Sequence, residues 1–380
     1  MTAPTRAARA GAALPFWLSY LLPPLVWLGA AKGGAWLLLP PLATWVLFSL
    51  LDLALGLNRA NADPGTSDAD LFWHRLATIL WAPVQCVTLF GLILYTGQAG
   101  HLGRTELFGL YFGMGVMSGT VGIVYAHELL HQRNRVERAL GDWLLAMVLY
   151  SHFRSEHLLV HHSWVGTPRD AVTARYNEGF HRYYPRVLRD CPASAFRAEA
   201  ALLARRGLPW WHRRNPFWTY AALQALMLAL AAMLGGWSGL ACFLIQAGVA
   251  IWQLELTNYV EHYALTRRHL GQGRYERVRP HHSWNAAHRA SNWLLINLQR
   301  HSDHHVKPDR RYPLLQTYEE SEAPQLPHGY PVMTMVAMIP PLWRRVMNPR
   351  VRAWRRRHYP DIADWGPYNR ATHPAPPPAP

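Results

Sequence analysis

Six long apolar blocks constrain this chain more than any other feature. They lie near residues 14–31, 35–55, 76–96, 107–126, 217–234 and 239–258 of a 380-residue sequence. Each approaches the roughly 20 residues that a helix needs to cross the hydrocarbon of a bilayer. A helix satisfies its own backbone hydrogen bonds in lipid, which an open strand does not. The expected fold is therefore all-α: an integral membrane bundle of six transmembrane helices with a cytoplasmic, histidine-rich cap. The first block follows TRAARA, a pattern shared with secretory signals. Its length, its Pro23-Pro24 pair and the second block close behind it favour a retained helix.

Charge orients the bundle. The formal net charge is +15. With the N-terminus in the cytoplasm, six crossings put 32–34, 97–106 and 235–238 outside, and these loops carry only Lys32 and Arg104 as basic residues. Nearly all other Lys and Arg fall at the N-terminus, around 58–75, at 131–214 and after 263. That is a positive-inside distribution. It places both termini and the regions 131–214 and 263–370 in the cytoplasm. It also explains the basic excess without nucleic acid, because such a face meets anionic lipid and attracts acidic soluble partners.

Residues 1–370 read as a single domain, and the Pro/Ala-rich 371–380 as a disordered tail. Trp237-Ser238-Gly239 is the expected turn of the last hairpin. Gly109, Gly113, Gly115, Gly119 and Gly122 share one apolar block, a pattern that lets membrane helices approach closely. Residues 143–150 are too short to cross and read as a buried or interfacial segment under the bundle. The three cysteines, Cys86, Cys191 and Cys242, form no CxxC pair. A thiolate metal site or disulfide framework is not encoded, so any electron carrier is a separate molecule or a non-thiolate metal site.

The chain has 21 histidines, and nine of them cluster. YAHELLHQ holds His127 and His131; SEHLLVHH holds His157, His161 and His162; NYVEHY holds His262; RHSDHH holds His301, His304 and His305. Residues three and four apart share a helix face. His127/His131 and His157/His161 therefore pair, His162 points to one side, and His301 groups with His304 and His305. All four groups sit at the cytoplasmic ends of blocks or in the cytoplasmic regions. Nine imidazoles exceed the six positions of one octahedral ion and suit two. Imidazole favours iron, copper, zinc or nickel over magnesium or calcium. HELLH alone also matches the HExxH zinc-protease pattern, but three further histidine groups accompany it. Glu128, Glu156, Glu261 and Asp303 lie in or beside the clusters. With Asp170 and Glu255 they are candidates to accept the second ring N–H of a metal-bound histidine. Glu255 is seven residues before His262, so it is expected on the same helix face. His282 and His288 remain unassigned.

HELLHQ, EHLLVHH, NYVEHY and LQRHSDHH, in this order, resemble the histidine boxes of the membrane-bound alkane 1-monooxygenases, within the membrane fatty-acid desaturase and hydroxylase superfamily. VGTPRDA (165–171) and RYERVRPHHSWN (274–285) extend the likeness. The resemblance covers about residues 120–315 well. It implies a non-haem di-iron centre, two Fe ions held by the nine histidines named above, in a bacterial cytoplasmic (inner) membrane. It implies insertion of one oxygen atom of O2 into the terminal methyl of an n-alkane drawn from the membrane. Electrons would come from rubredoxin, a separate chain, reduced by an NAD(P)H-dependent reductase. The sequence departs from the usual boxes at Gln132, at Leu158-Leu159-Val160, at Ala171-Val172-Thr173 and at Ala264, and loses no candidate ligand. Alternatives are a xylene-monooxygenase-like aromatic methyl hydroxylase, a lipid desaturase on the same scaffold and, from another class, a membrane metal-binding or transport protein.

Overall fold

A computed structural model describes residues 6–376. Among these residues the fold is all-α apart from one two-stranded antiparallel ribbon, β1 (His269–Gly271) with β2 (Arg274–Tyr275). Five helices are long and apolar enough to cross a membrane. They are α1 (Ala7–Lys32), α2 (Gly34–Leu55), α3 (Phe72–Gln98), α4 (Arg104–Leu130) and, beyond three intervening helices, α8 (Phe217–His262). Large apolar side chains on these helices face outward: Leu53 is 78% exposed, Val87 70% and Met233 72%. Residues of this kind at this exposure on several helices fit a lipid-facing surface rather than a water-facing one.

The fifth and sixth apolar blocks both fall within α8. Gly236 interrupts it with φ 59° and ψ −147°, a conformation that costs glycine nothing and other residues much. A Cβ built on Gly239 would lie 2.6 Å from the Ala231 carbonyl. Eight residues of straight helix span about 12 Å, so the chain turns back at Gly236. The reversal comes just before the expected Trp237-Ser238-Gly239, because the glycine that tolerates positive φ sets it.

The second half of α8 packs on α4 with almost no side chain between them. A Cβ on Gly115 would lie 2.6 Å from Val249 Cβ, and one on Gly119 2.7 Å from the Ala250 carbonyl. α4 contains a π-helical turn at Ser118–Gly122, directly before the residues that enter the histidine cluster.

On the polar side, α5 (Arg135–Ala146) starts from Asn134, whose side chain accepts from the amides of Val136 and Glu137. The 143–150 segment closes the core beneath the bundle: Leu145 and Met147 are fully buried, and Gln246 of α8 donates to the Met147 carbonyl at 2.7 Å. A bent helix α6 (153–164) and α7 (Phe180–Ala204) follow. After α8 come α9 (Arg289–Leu294), α10 (His301–Val306), α11 (Tyr330–Ala337) and α12 (Pro340–His358). A buried ion-pair network ties this region to the bundle. Glu137 of α5 accepts from Arg311 at 2.6 Å and from Arg75 of α3 at 2.7 Å. Of the expected disordered tail, 377–380 lie outside the described residues, while the ring of His373 meets the Tyr275 hydroxyl at 2.7 Å.

Candidate metal centre

The ends of α4 and α8 converge with α6 and α10, and all nine clustered histidines meet there. They sort into two groups. The Nε2 atoms of His127, His131, His157, His162 and His304 form the first. His127 lies 2.9 Å from His157 and 3.0 Å from His304, and His157 lies 3.0 Å from both His131 and His162. His162 is 3.2 Å from His304. His161, His262, His301 and His305 form the second group, with His301 Nε2 3.0 Å from His262 and 3.1 Å from His305. The groups abut: the ring centroids of His162 and His305 are 4.8 Å apart.

The grouping cuts across the sequence motifs because of local helix geometry. Glu156–His161 is a π-helical turn, and the His162 amide donates to the His157 carbonyl. At 100° per residue an α-helix would point His162 about 140° away from His157. The wider π-turn reduces this to about 50°. His162 therefore joins His157, and His161 flanks the other group. In α10, His301 and His305 share one face and His304, between them, reaches the first group.

Hydrogen bonding among these rings does not explain their spacing. A neutral imidazole nitrogen has either one proton or one lone pair, so His157 Nε2 cannot satisfy three nitrogens at 2.9–3.0 Å. A cation does explain it. Imidazole nitrogens about 2.1 Å from a first-row ion, at right angles, are about 3.0 Å from each other. Burial, and then the neighbouring imidazoles, hold His157, His162, His304 and His305 well below the ordinary histidine range. Their lone pairs are free at neutral pH, as metal binding requires. The donor set fits two metal ions.

The six candidate carboxylates have different partners. Asp170 Oδ2 accepts from His161 Nδ1 at 3.1 Å and is itself held by the Thr173 hydroxyl at 2.6 Å. That leaves His161 Nε2 as the lone-pair nitrogen. Glu261 Oε1 lies 3.4 Å from His301 Nδ1. Glu128 accepts instead from Gln132 at 3.0 Å, Asp303 from Arg310 and Tyr318, and Glu255 from Tyr150 at 2.8 Å and Tyr183 at 3.2 Å. None of these three bonds an imidazole. Glu255, expected on the helix face of His262, thus accepts from two tyrosines, of α7 and of the 143–150 segment, in place of an imidazole. Glu156 is buried with Oε1 unpartnered; burial, then Asp170 and Glu255, raise its pKa well above the carboxylate range.

Sequence spacing did not single out Thr173, Tyr150 or Tyr183; hydroxyl residues in loops and on other helices carry no periodic signal. It also left His282 open. His282 joins His281 and Glu276 at metal-like distances, but its Nδ1 accepts the Arg279 amide at 2.9 Å. Nε2 therefore carries the proton and meets the Tyr359 hydroxyl at 2.7 Å. This third group is a hydrogen-bonded cluster.

A narrow cavity of about 20 Å³ touches both histidine groups, room for about one water-sized molecule. Ile123, Val124, Phe153, Leu254 and Leu298 give it a largely apolar lining, and His127, His157, His301, Thr257, Asn258 and Glu261 supply its polar atoms.

The fatty acid desaturase family model matches residues 104–337. The chain is 37% identical to alkane 1-monooxygenase 2 of Pseudomonas aeruginosa, over 90% of this chain and 89% of that protein. It is 40% identical to alkane 1-monooxygenase 1 of the same organism, over 89% and 91%. Identity to the xylene/toluene monooxygenase hydroxylase component of Pseudomonas putida is 28%, over 90% of each.

Proposed function

The chain belongs to the alkane 1-monooxygenases of the membrane fatty acid desaturase family, and from that premise we propose that it hydroxylates the terminal methyl of n-alkanes. It is an oxidoreductase, a monooxygenase, with apolar helices suited to a multi-pass membrane protein. The balanced reaction is R–CH3 + O2 + 2 e− + 2 H+ giving R–CH2OH + H2O. The observation that carries the reading is the pair of abutting, buried imidazole groups beside apolar side chains.

The nine histidines are proposed as ligands of two iron ions, five for one and four for the other. When bound, that pair supplies reduction of O2 and the oxidant for the C–H bond. The residues of the chain do the rest. Ile123, Val124 and Leu254, with Leu298 and Phe153, exclude water beside the imidazoles and offer an apolar surface to a terminal methyl. Asp170 holds the His161 ring in one tautomer, and Glu261 sits beside His301. Positioning of this kind converts an encounter into an oriented reaction.

Rubredoxin, reduced by an NAD(P)H-dependent reductase, is the proposed electron donor. The turn at Gly236 supports six crossings, with residues 1–370 one domain and the histidine-rich cap and both termini in the cytoplasm of a bacterial cell. The higher identity to alkane than to xylene monooxygenases supports a linear alkane over an aromatic methyl.

The test is a product assay under 18O2, with membranes, rubredoxin, its reductase and NADH. Octane, hexadecane, xylene and a saturated acyl lipid are offered in parallel, with His304→Ala as control. Labelled 1-alkanol absent from the control supports the reading. Labelled methylbenzyl alcohol alone, or unlabelled alkene, overturns it.

A further inference from the structure

Arg289 and Arg300 have no carboxylate partner among the described residues. Arg300 directly precedes His301 and is only 5% exposed. Its guanidinium donates to neutral oxygens alone: the carbonyls of Leu315 at 2.7 Å, Ala60 at 3.1 Å and Asn58 at 3.3 Å, and Asn61 Oδ1 at 3.4 Å. Arg289 opens α9, and its amide donates to the Gly56 carbonyl at 3.0 Å. Its side chain makes no hydrogen bond among the described residues, and its Nε is buried without a partner. Both arginines line one hollow of about 330 Å³. The other polar walls are asparagines, Asn58, Asn61, Asn292 and Asn297, and no Asp or Glu borders it. Arg300 Nε and Asn292 Oδ1 are also buried without partners. A buried cation balanced only by carbonyl dipoles, with orphaned polar atoms around it, is costly unless an anion completes the site.

The hollow lies where the apolar helices end. Ala12 and Phe16 of α1 line it. α9 packs against the 14–21 stretch of α1 and the 48–55 stretch of α2, the two ends on the side of the histidine cluster. Trp293 of α9, half-buried, stands at the hollow; tryptophan favours the head-group level of a bilayer. Beside it Leu14 of α1 is 68% exposed and Leu53 of α2 78%. A polar, cationic hollow thus adjoins apolar surface suited to acyl chains.

We propose that this hollow binds a phosphate-bearing anion, with the phosphoglycerol head of an anionic membrane lipid as its ligand class. Guanidinium groups match phosphate oxygens in charge and geometry, and basic pockets between membrane helices take lipid head groups. Arg289 supplies an unbonded guanidinium fork, and Arg300 supplies charge from behind. Asn58 Nδ2, unbonded among the described residues, adds a neutral donor. Because Arg300 adjoins His301, a bound anion compensates charge at the edge of the four-histidine group. The anion takes no part in the hydroxylation proposed above, so the site stands or falls apart from that reading.

The test counts lipids retained on the full chain in detergent by native mass spectrometry. Phosphatidylglycerol and phosphatidylcholine of equal acyl length are titrated in turn, and inorganic phosphate is titrated separately through its 31P linewidth. Arg289→Gln is compared with Arg205→Gln/Arg206→Gln, an exposed basic pair beyond the end of α7. The expected result is one saturable site that prefers phosphatidylglycerol, weakened about tenfold in Arg289→Gln and unchanged in the control pair. Arg289→Lys, which keeps the charge but not the fork, is expected between wild type and Arg289→Gln, and its retained binding separates a lost site from a lost fold. Inorganic phosphate broadened by wild type and not by Arg289→Gln, without a lipid preference, keeps the site and makes free phosphate its ligand. Equal phosphatidylglycerol affinity in wild type and Arg289→Gln overturns the proposal. An equal loss in the control pair, or no preference for either anion, overturns it as well.

Discussion

The amide of His162 donates to the carbonyl of His157, five residues back rather than four. That bond decides which ring joins which cluster. His157 and His162 bring their Nε2 atoms to 3.0 Å in the five-histidine group, while His161, next in sequence, belongs to the four-histidine group.

Adjacent substitutions should therefore differ. His161→Ala leaves three imidazoles in its group and should lower bound iron to about one equivalent per chain. His162→Ala leaves four in the other and should keep closer to two, because occupancy follows the number of deprotonated ligands. Metal analysis of purified protein checks this; the reverse order would show that the two groups are wrongly divided.

Asp170→Asn removes the charge that fixes His161 through Nδ1. Iron affinity of that group should fall by about 10–100-fold, read by competition with a chelator. Asp303→Asn should leave affinity within a few-fold, since Asp303 bonds Arg310 and Tyr318 and no imidazole. Equal losses would mean that sequence proximity, not contact, tracks the effect.

Leu254→Ala should widen the cavity wall beside His127 and His301. An alkane end held less tightly presents its second carbon as well as its first. The fraction of 2-alkanol should rise several-fold relative to wild type, measured by gas chromatography of the products. An unchanged ratio would place the alkane elsewhere.

Gly115→Ala forces a Cβ to 2.6 Å from Val249 and 2.7 Å from the Gln246 carbonyl. Overpacking of this kind costs about 1–3 kcal/mol, so thermal unfolding in detergent should begin earlier. Gly248→Ala, on the facing helix with nothing within 4 Å, should be neutral or stabilise by up to about 1 kcal/mol. A matching loss in both would indicate a general effect of adding a methyl group rather than helix contact.

The apolar blocks and the histidine motifs were legible in the sequence because each is a local property. Hydropathy over about 20 residues marks a crossing whatever packs beside it, and clustered imidazoles declare metal chemistry by type alone. The small-residue spacing in α4 likewise marked a close helix contact, and Gly115 and Gly119 make it against Val249 and Ala250. Tertiary structure decided the rest. A π-turn is not written in residue spacing, so the division of the second and fourth motifs between two groups stayed hidden. Glu255 has the right heptad offset from His262, yet Tyr150 and Tyr183 arrive from elsewhere in the chain and take its oxygens. Trp284 falls in the 274–285 stretch that extends the family likeness, yet nothing local shows that it is held against the carbonyls on both sides of His262. Such contacts depend on which distant segments the packed helices bring together, and local sequence does not encode that distance.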